Sequence, residues 1–278
     1  MSAGEAMTAS AREFSALPRS ALKLMRDAGA EVLECRRVLD KGGLNVVGEI
    51  LRGQGEFIEY EHFPTDDVRD ADTHAQYYYH AHRGSEGEHG HFHTFLRAAG
   101  MPAGVAPVPY ASGEPWPAGD AALSHLIAIS MDAYGVPIGL FTVNRWVTGD
   151  TWYPARDVIA MLDGFVVDHA NPSWPVNRWI SAMLRLFRPQ IEALILARDE
   201  TLAAWARSHP SRDVFEDREL EITSHAAISV EQQIAAVAAA LAQHEYIGDS
   251  DEIGPKLPEF VHSCRLDTTP DYRLIVKN

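Results

Sequence analysis

Five histidines fall within fourteen consecutive residues of this chain, far more than its composition would place there. The chain has 13 histidines among 278 residues, and the five are His80, His82, His89, His91 and His93. Imidazole nitrogens are common protein ligands for zinc, copper, iron and nickel. The cluster therefore predicts a metal site between residues 80 and 93, provided that the local structure brings the rings together.

The residues around the cluster predict a β-hairpin, with strands at 75–82 and 89–95 and a turn at 84–87. Directly opposed residues of such a hairpin point to the same side of the sheet. The opposed pairs in this register are His82 with His89, His80 with His91, and Tyr78 with His93. All five histidines are therefore expected on one face, because a slip of one residue would scatter them over both. Glu88, opposite Arg83, is predicted to point to the other face.

Three imidazoles from two neighbouring strands can cap a metal ion and leave a further position open for water or substrate. The two cysteines, Cys35 and Cys264, are far apart, so a thiolate zinc site is not indicated. The expected cofactor is a divalent transition metal: Zn, Fe or Cu. The choice of ligands among the five stays open, with His91 as the central one. A carboxylate ligand, for which Glu59 and Glu61 are candidates, would favour iron.

Four further residues are candidates for supporting the histidines or holding a substrate. They are Tyr78, His125, Asn144 and Arg145. An arginine and an asparagine at a strand end suit an anionic or carbonyl substrate, and Trp146 or Trp152 could line its pocket. No catalytic residue is identified, because the chain carries no nucleophile elbow, P-loop, dinucleotide-binding glycine motif or HExxH helix.

The predicted elements run as helices, then at least five strands, then helices. Sequential hairpins without β-α-β alternation indicate an α+β fold, with an antiparallel sheet built from hairpins and N-terminal and C-terminal helices packed around it. Helices are predicted at about 18–41, 44–52, 155–165, 177–208 with a kink or a break at Pro189, and 230–243. Strands are predicted at about 57–63, 75–82, 89–95, 123–131 and 138–147, with a last edge strand at 272–276.

The domain prediction follows from this order. Residues 1–17 are small and polar and are expected to form a flexible leader. Residues 18–278 are expected to form a single α+β domain. The helices of 177–278 could form a subdomain of their own.

Composition excludes several classes of protein. Hydrophobic residues make up 46% and charged residues 23% of the chain, which is typical of a globular domain. The net charge of −15 repels phosphate backbones, so nucleic acid is not an expected partner. Apolar runs are too short for a membrane-spanning helix or a secretory signal, so a cytoplasmic location is expected. The oligomeric state stays open.

Two segments of the hairpin resemble a signature of an uncharacterised bacterial domain family. They are Gln76-Tyr-Tyr-Tyr-His-Ala-His-Arg83 and Glu88-His-Gly-His-Phe-His93, and Asn144-Arg-Trp-Val-Thr148 is similar to a further part of it. The resemblance implies that most of residues 40–205 is one domain. It implies no particular activity and no catalytic residues. The site geometry is also similar to that of cupins and α-carbonic anhydrases, but the spaced glycines and downstream glutamate of cupins are missing.

These observations favour a metal-dependent enzyme acting on a small-molecule substrate. Iron or copper would indicate oxidation, and zinc would indicate hydrolysis or hydration. One alternative is a non-catalytic module that senses or stores a metal or binds haem. Another is an interaction protein with a pH-sensitive histidine face. A coordination shell filled by protein would indicate storage, whereas an open position would indicate catalysis.

Overall fold

A computed structural model describes residues 14–82, 87–110 and 115–251, with side chains as far as residue 244. Within these residues, six antiparallel strands form one sheet in chain order, so each strand pairs with the next. The strands are β1 (Phe63–Arg69), β2 (Ala75–His80), β3 (Glu88–Arg97), β4 (Leu123–Asp132), β5 (Pro137–Val143) and β6 (Ile222–Ala227). The helices are α1 (Arg19–Lys41), α2 (Val46–Leu51), α3 (Arg145–Thr148), α4 (Ala155–Met161), α5 (Trp174–Leu186), α6 (Arg188–Ser208) and α7 (Val230–Asp251). The α+β prediction is confirmed.

The β2–β3 hairpin has the predicted register. Six consecutive pairs run from Ala75 opposite Leu96 to His80 opposite His91. Tyr77 and Tyr79 lie on one face with Phe92 and enter the main core, where Phe92 packs against Trp179 of α5 at a ring distance of 5.7 Å. Side chains of successive strand residues point to opposite faces, so Tyr77, Tyr79 and Phe92 meet the helices while Tyr78, His91 and His93 lie on the other face.

The helices cover that core face of the sheet. Main-core residues lie on α1, α5 and α6, and Trp179 is fully buried at their centre. Of the two alternatives predicted at Pro189, a kink or a break, the structure has a break: α5 ends at Leu186 and α6 begins at Arg188, so Pro189 lies in the first turn of α6. The residues predicted as a separate helical subdomain supply α5 to this core and β6 to the sheet.

The first predicted strand is wrong. Residues 57–62 form no strand, and β1 instead occupies Phe63–Arg69. Aromatic residues of 57–63 pack against the end of the hairpin, where Phe57 stacks on His89 and Tyr60 stacks on His82. An edge strand exposes most of its side chains, and β1 buries only Phe63 and Val68, so it shows little apolar alternation.

On the other side of the sheet, the end of β5 and the presence of β6 also differ from prediction. Strand β5 ends at Val143 instead of 147, because the Asn144 side chain accepts from the Arg145 backbone N–H and starts the short helix α3. Strand β6 was not predicted. Its edge position exposes Ile222, His225 and Ala227, so its sequence carries little apolar signal.

Part of the predicted leader is packed. Phe14 is buried in a small cluster with Leu22 and Met25 of α1 and Val237 of α7. Residues 1–13 and the predicted edge strand at 272–276 lie outside the described residues.

None of the helices in the described part of the chain combines the length and the apolar character needed to cross a bilayer.

Candidate metal centre

Three histidines of the hairpin converge on the face of the sheet opposite the helical core. His80 ends β2, and His91 and His93 alternate along β3. Each offers a ring nitrogen, and these nitrogens lie within 4.8 Å of one another. His91 and His93 are fully buried, and His80 is 7% exposed. A buried histidine triad close enough to bind a metal ion is therefore present.

The ring nitrogens of this triad point at one another. His80 Nε2 lies 2.8 Å from His91 Nε2. The rings stand edge to face, with centroids 4.6 Å apart for His80 and His91, and 4.8 Å apart for His91 and His93. Two metal–nitrogen bonds of about 2.0–2.1 Å at a tetrahedral angle place the two nitrogens roughly 3.3–3.4 Å apart. The nitrogens of His80 and His91 are slightly closer than this, and all three ligand nitrogens lie within 4.8 Å.

Glu88 holds the outer nitrogen of His91. Its Oε1 lies 2.5 Å from His91 Nδ1, and its Oε2 accepts from Ser130 Oγ at 2.9 Å. A carboxylate only accepts hydrogen bonds, so His91 Nδ1 carries the proton in this contact, and Nε2 is the nitrogen that faces His80. A carboxylate behind a histidine in this way orients metal-binding histidines and raises their basicity.

His125 contacts the outer nitrogen of His93 in the same way that Glu88 contacts that of His91. His125 Nε2 lies 3.0 Å from His93 Nδ1. Burial, assisted by the Arg198 charge, lowers the pKa of His125 to about 3, so its ring is neutral at pH 7. A neutral His125 can accept from His93 Nδ1 through Nε2, which leaves His93 Nε2 for a ligand. The buried Asp150 carboxylate accepts from the His125 backbone N–H at 2.9 Å and fixes this strand end.

The predicted position of His89 is not what the structure shows. His89 turns to the helical side, where its Nδ1 lies 2.7 Å from the Tyr79 hydroxyl and its ring stacks on Phe57. Glu88, predicted on that side, faces the histidines instead. The register of β3 on β4 shifts between Glu88 and Gly90, and a β-bulge reverses the alternation at this point.

Gly90 is the sequence signal that identifies this bulge. A glycine inside a strand pattern commonly marks a bulge or a close approach of another group. A Cβ on Gly90 would lie 2.6 Å from both the His80 carbonyl oxygen and the Tyr79 hydroxyl. Sequence reasoning therefore missed Glu88 and Ser130 as part of the centre, although Gly90 carried the information.

His82 lies beside the triad, past the end of β2. Its ring centroid is 5.0 Å from that of His80 and 5.1 Å from that of His91. The predicted pairing of His82 with His89 does not form, because the ladder ends at His80. Arg83 lies outside the described residues.

Two further rings, Tyr78 and His62, pack against the triad. Tyr78 lies 5.2 Å from His80 and 5.3 Å from His93 between ring centroids, as its predicted face requires. His62 stacks on Tyr78 at 3.5 Å, and its Nδ1 pairs with Asp67 Oδ1 at 2.9 Å. Burial raises the pKa of the Tyr78 phenol, so this hydroxyl stays protonated.

Asn144 and Arg145, predicted to hold a substrate, make structural contacts elsewhere. Asn144 is fully buried and donates from Nδ2 to the Val214 carbonyl at 2.7 Å. Arg145 pairs with Glu216 and lies over the Trp116 ring at 5.5 Å. Both side chains thus fasten the segment around 214–216 to the end of β5. Their predicted role towards a substrate stays a prediction.

Comparison with known proteins adds a family and no activity. The model of a domain of unknown function, DUF6969, matches residues 26–228, a span that contains the whole sheet and every histidine of the centre. No curated protein and no solved structure matches the chain. Because the match covers well over half of the sequence, the chain belongs to the DUF6969 family, as the resemblance predicted.

Proposed function

We propose that this protein is a metal-dependent enzyme that binds one divalent transition metal, Zn, Fe or Cu, through His80, His91 and His93 and acts on a small molecule. The observation that carries the proposal is the convergence of three buried ring nitrogens within 4.8 Å. Three protein ligands leave a coordination position for water or substrate, which is the arrangement of catalytic rather than structural zinc sites. Zinc would supply a bound hydroxide, and iron or copper would supply oxidation chemistry.

The hydrogen bonds behind the triad support metal binding over packing alone. Glu88 and His125 each engage the Nδ1 atom of a triad histidine, at 2.5 and 3.0 Å. Both bonds direct the opposite nitrogen, Nε2, to the centre of the cluster. Histidine ligands of metals almost always have such a partner on the other ring nitrogen.

The first test is elemental analysis of the untagged protein, purified without chelator and without added metal. We expect about one equivalent of a transition metal per chain. The matched pair of variants is His91→Ala and His89→Ala, because the two histidines share a strand but face opposite sides. His91→Ala should lose the metal, whereas His89→Ala and the distant His244→Ala should retain it.

Equal metal content in all three variants would remove the proposed centre. Absence of metal from the wild-type protein, even after reconstitution, would favour the alternative of a pH-sensitive histidine face. The identity of the metal decides the next assay. Oxygen consumption suits iron or copper, and hydrolase or hydratase screens suit zinc.

The position of His82 favours a second candidate function, a non-catalytic site that stores or senses a metal. Its ring centroid lies 5.0 Å from that of His80, the same distance as between His80 and His93 of the triad. If His82 supplied a fourth nitrogen, a tetrahedral ion would have its coordination filled by protein.

Cobalt substitution separates the two candidates. In the enzyme, azide should change the visible spectrum of the Co²⁺-loaded protein, because a coordination position is open. His82→Ala should leave metal content and the azide response unchanged. In a storage site, the wild-type protein should ignore azide, and His82→Ala should create the response.

We also infer a reducing, cytoplasmic compartment and a bacterial source. Cys35 supports the first inference, because it is a free, buried thiol in the described part of the chain. Burial raises its pKa to about 11, so it stays protonated and unreactive.

A further inference from the structure

A cavity borders the metal centre on the same face of the sheet. It has a volume of about 350 Å³ and lies over β4, β5 and β6. Its floor continues the row of residues that starts at His91, because Ser130, Gly139 and Ala227 are paired in turn across the strands. Glu88 of β3 lines it on the side of the histidines, and His225 of the edge strand β6 lines it on the other side. We call this cavity the trough.

The trough exists because small residues line its floor. A Cβ added to Gly139 would meet the Ala226 carbonyl oxygen at 3.4 Å and the Ser130 Cβ and Oγ at 3.5 Å, which are ordinary contacts. The backbone of Gly139 does not have the left-handed conformation that favours glycine. Neither the backbone nor the packing therefore requires glycine here, and its effect is to leave volume open.

The chemistry of the trough selects against anions. Glu88 is its acidic group, with 13% of the side chain exposed. Among the described residues that line the trough, none is a lysine or an arginine. The net charge of −15 of the whole chain adds to the negative potential. A cationic or hydrogen-donating group is therefore favoured beside Glu88.

The walls of the trough are apolar. Phe141 is buried on its inner side, and Ile138 and Ile222 border it towards the sheet edge. Ligand pockets of this size are usually lined by apolar groups with a few polar groups that fix orientation. Glu88 and Ser130 supply those polar groups, because each carboxylate oxygen has a second lone pair and the hydroxyl can also accept.

We propose that the trough is a binding site for a small primary amine, with its ammonium group against Glu88 and Ser130 and its apolar body on Gly139 beside Phe141. The trough lies over β4 to β6, whereas His80 lies on β2, and its lining includes Glu88 but none of the three triad histidines. The amine would therefore contact Glu88 and not the metal. This binding site does not depend on a metal.

The site is coupled to the metal centre through Glu88, and this coupling rests on the proposed function. Glu88 Oε1 holds His91 Nδ1 while Oε2 faces Ser130 and the trough. An ammonium that draws the carboxylate outwards weakens its bond to His91. By linkage, the amine then lowers metal affinity by the same factor by which the metal lowers amine affinity.

The first experiment uses the full-length, metal-free protein and three probes of similar size. They are n-butylammonium, n-butanol and n-butyrate, titrated by calorimetry or by NMR chemical shifts. We expect n-butylammonium to bind at least tenfold more tightly than n-butyrate, with n-butanol between them. Absence of n-butylammonium binding, or equal binding of all three probes, would overturn the proposal.

Variants locate the binding site. Gly139→Val fills the floor and should reduce n-butylammonium affinity at least tenfold, whereas Ala133→Val in the exposed β4–β5 turn should not. Glu88→Gln should remove the preference for n-butylammonium over n-butanol. If Gly139→Val fails to fold, Ala227→Leu at an exposed position of the same floor replaces it. Unchanged affinity in the folded floor variant would place the amine elsewhere and overturn the assignment.

The coupling has its own readout. Saturating n-butylammonium should lower the metal affinity of the wild-type protein severalfold, and Glu88→Gln should abolish that effect. Failure to bind metal removes the proposed function but leaves the amine titrations of the metal-free protein intact. Metal binding without amine binding removes only the trough site, so the two failures are distinguishable.

Discussion

The two faces of the β2–β3 hairpin carry rings of similar size and burial, yet they differ in where their polar atoms point. On the helical face, the Tyr77 hydroxyl points away from the ring cluster to Asn177 Oδ1 at 2.5 Å. On the other face, the nitrogens of His80 and His91 meet at 2.8 Å. Burial and ring packing are thus common to both faces, and only convergence of polar atoms marks one of them as a ligand site.

This comparison also explains the different partners of the two faces. The hydroxyl group of Tyr77 is satisfied by a single acceptor on α5, and burial raises its pKa, so it remains a donor. On the histidine face, Glu88 and His125 bind from outside the cluster and leave the inner nitrogens directed at one another. The helical face therefore stabilises the fold, and the histidine face is organised around a shared centre.

The largest effect is expected at the β-bulge between Glu88 and Gly90, where the histidine face of the hairpin ends. Gly90→Ala places a Cβ 2.6 Å from the His80 carbonyl oxygen. The same Cβ would lie 2.6 Å from the Tyr79 hydroxyl. Because the carbonyl and the hydroxyl are both packed and cannot easily move, we expect a loss of about 3 kcal/mol in the free energy of unfolding and a loss of metal binding. Urea unfolding and metal titration measure the two effects.

Gly139→Ala is the matched control for this prediction. It adds the same methyl group to another strand glycine of the sheet, where the nearest atom would be 3.4 Å away. We expect a change within about 0.5 kcal/mol. Equal destabilisation by the two variants would show that Gly90 has no special position.

A smaller effect, confined to the histidine face, is expected for Glu88→Gln. The amide oxygen can still accept from His91 Nδ1, but without charge, so we expect metal affinity to fall about tenfold with little change in stability. Ser130→Ala removes only the bond to Glu88 Oε2, so its effect on affinity should be smaller. Competition with a metal indicator measures both, and unchanged affinity in Glu88→Gln would contradict the role of the carboxylate.

The sequence predicts the regular part of the hairpin and not its irregular end. Both faces of residues 75–80 and 91–96 carry alternating patterns that agree on one register. The bulge depends on a close approach of Tyr79 to Gly90, which alternation does not encode. The predicted common face therefore holds for His80, His91 and His93 and fails for His89.

Long-range pairing is the second limit on prediction. Strand β6 joins β5 through contacts such as that between the hydroxyls of Thr142 and Thr223, 81 residues apart, at 2.7 Å. Its inward side chains include Thr223, so a polar residue occupies a core position. Composition and alternation could indicate the fold class, but they could not locate this strand or the trough that it borders.

The smallest expected effect tests the helical face. Tyr77→Phe removes the donor to the buried Asn177 Oδ1, so we expect a loss of about 1.5 kcal/mol in the free energy of unfolding. Tyr79→Phe is the matched control, because its partner His89 is half-buried and can turn to water, which makes its cost smaller. Neither variant should change metal affinity, because both hydroxyls lie on the opposite side of the sheet from the triad. If either tyrosine variant lowered metal affinity as much as Glu88→Gln does, metal binding would depend on the helical face as well. That result would contradict the conclusion that only the histidine face forms the ligand site.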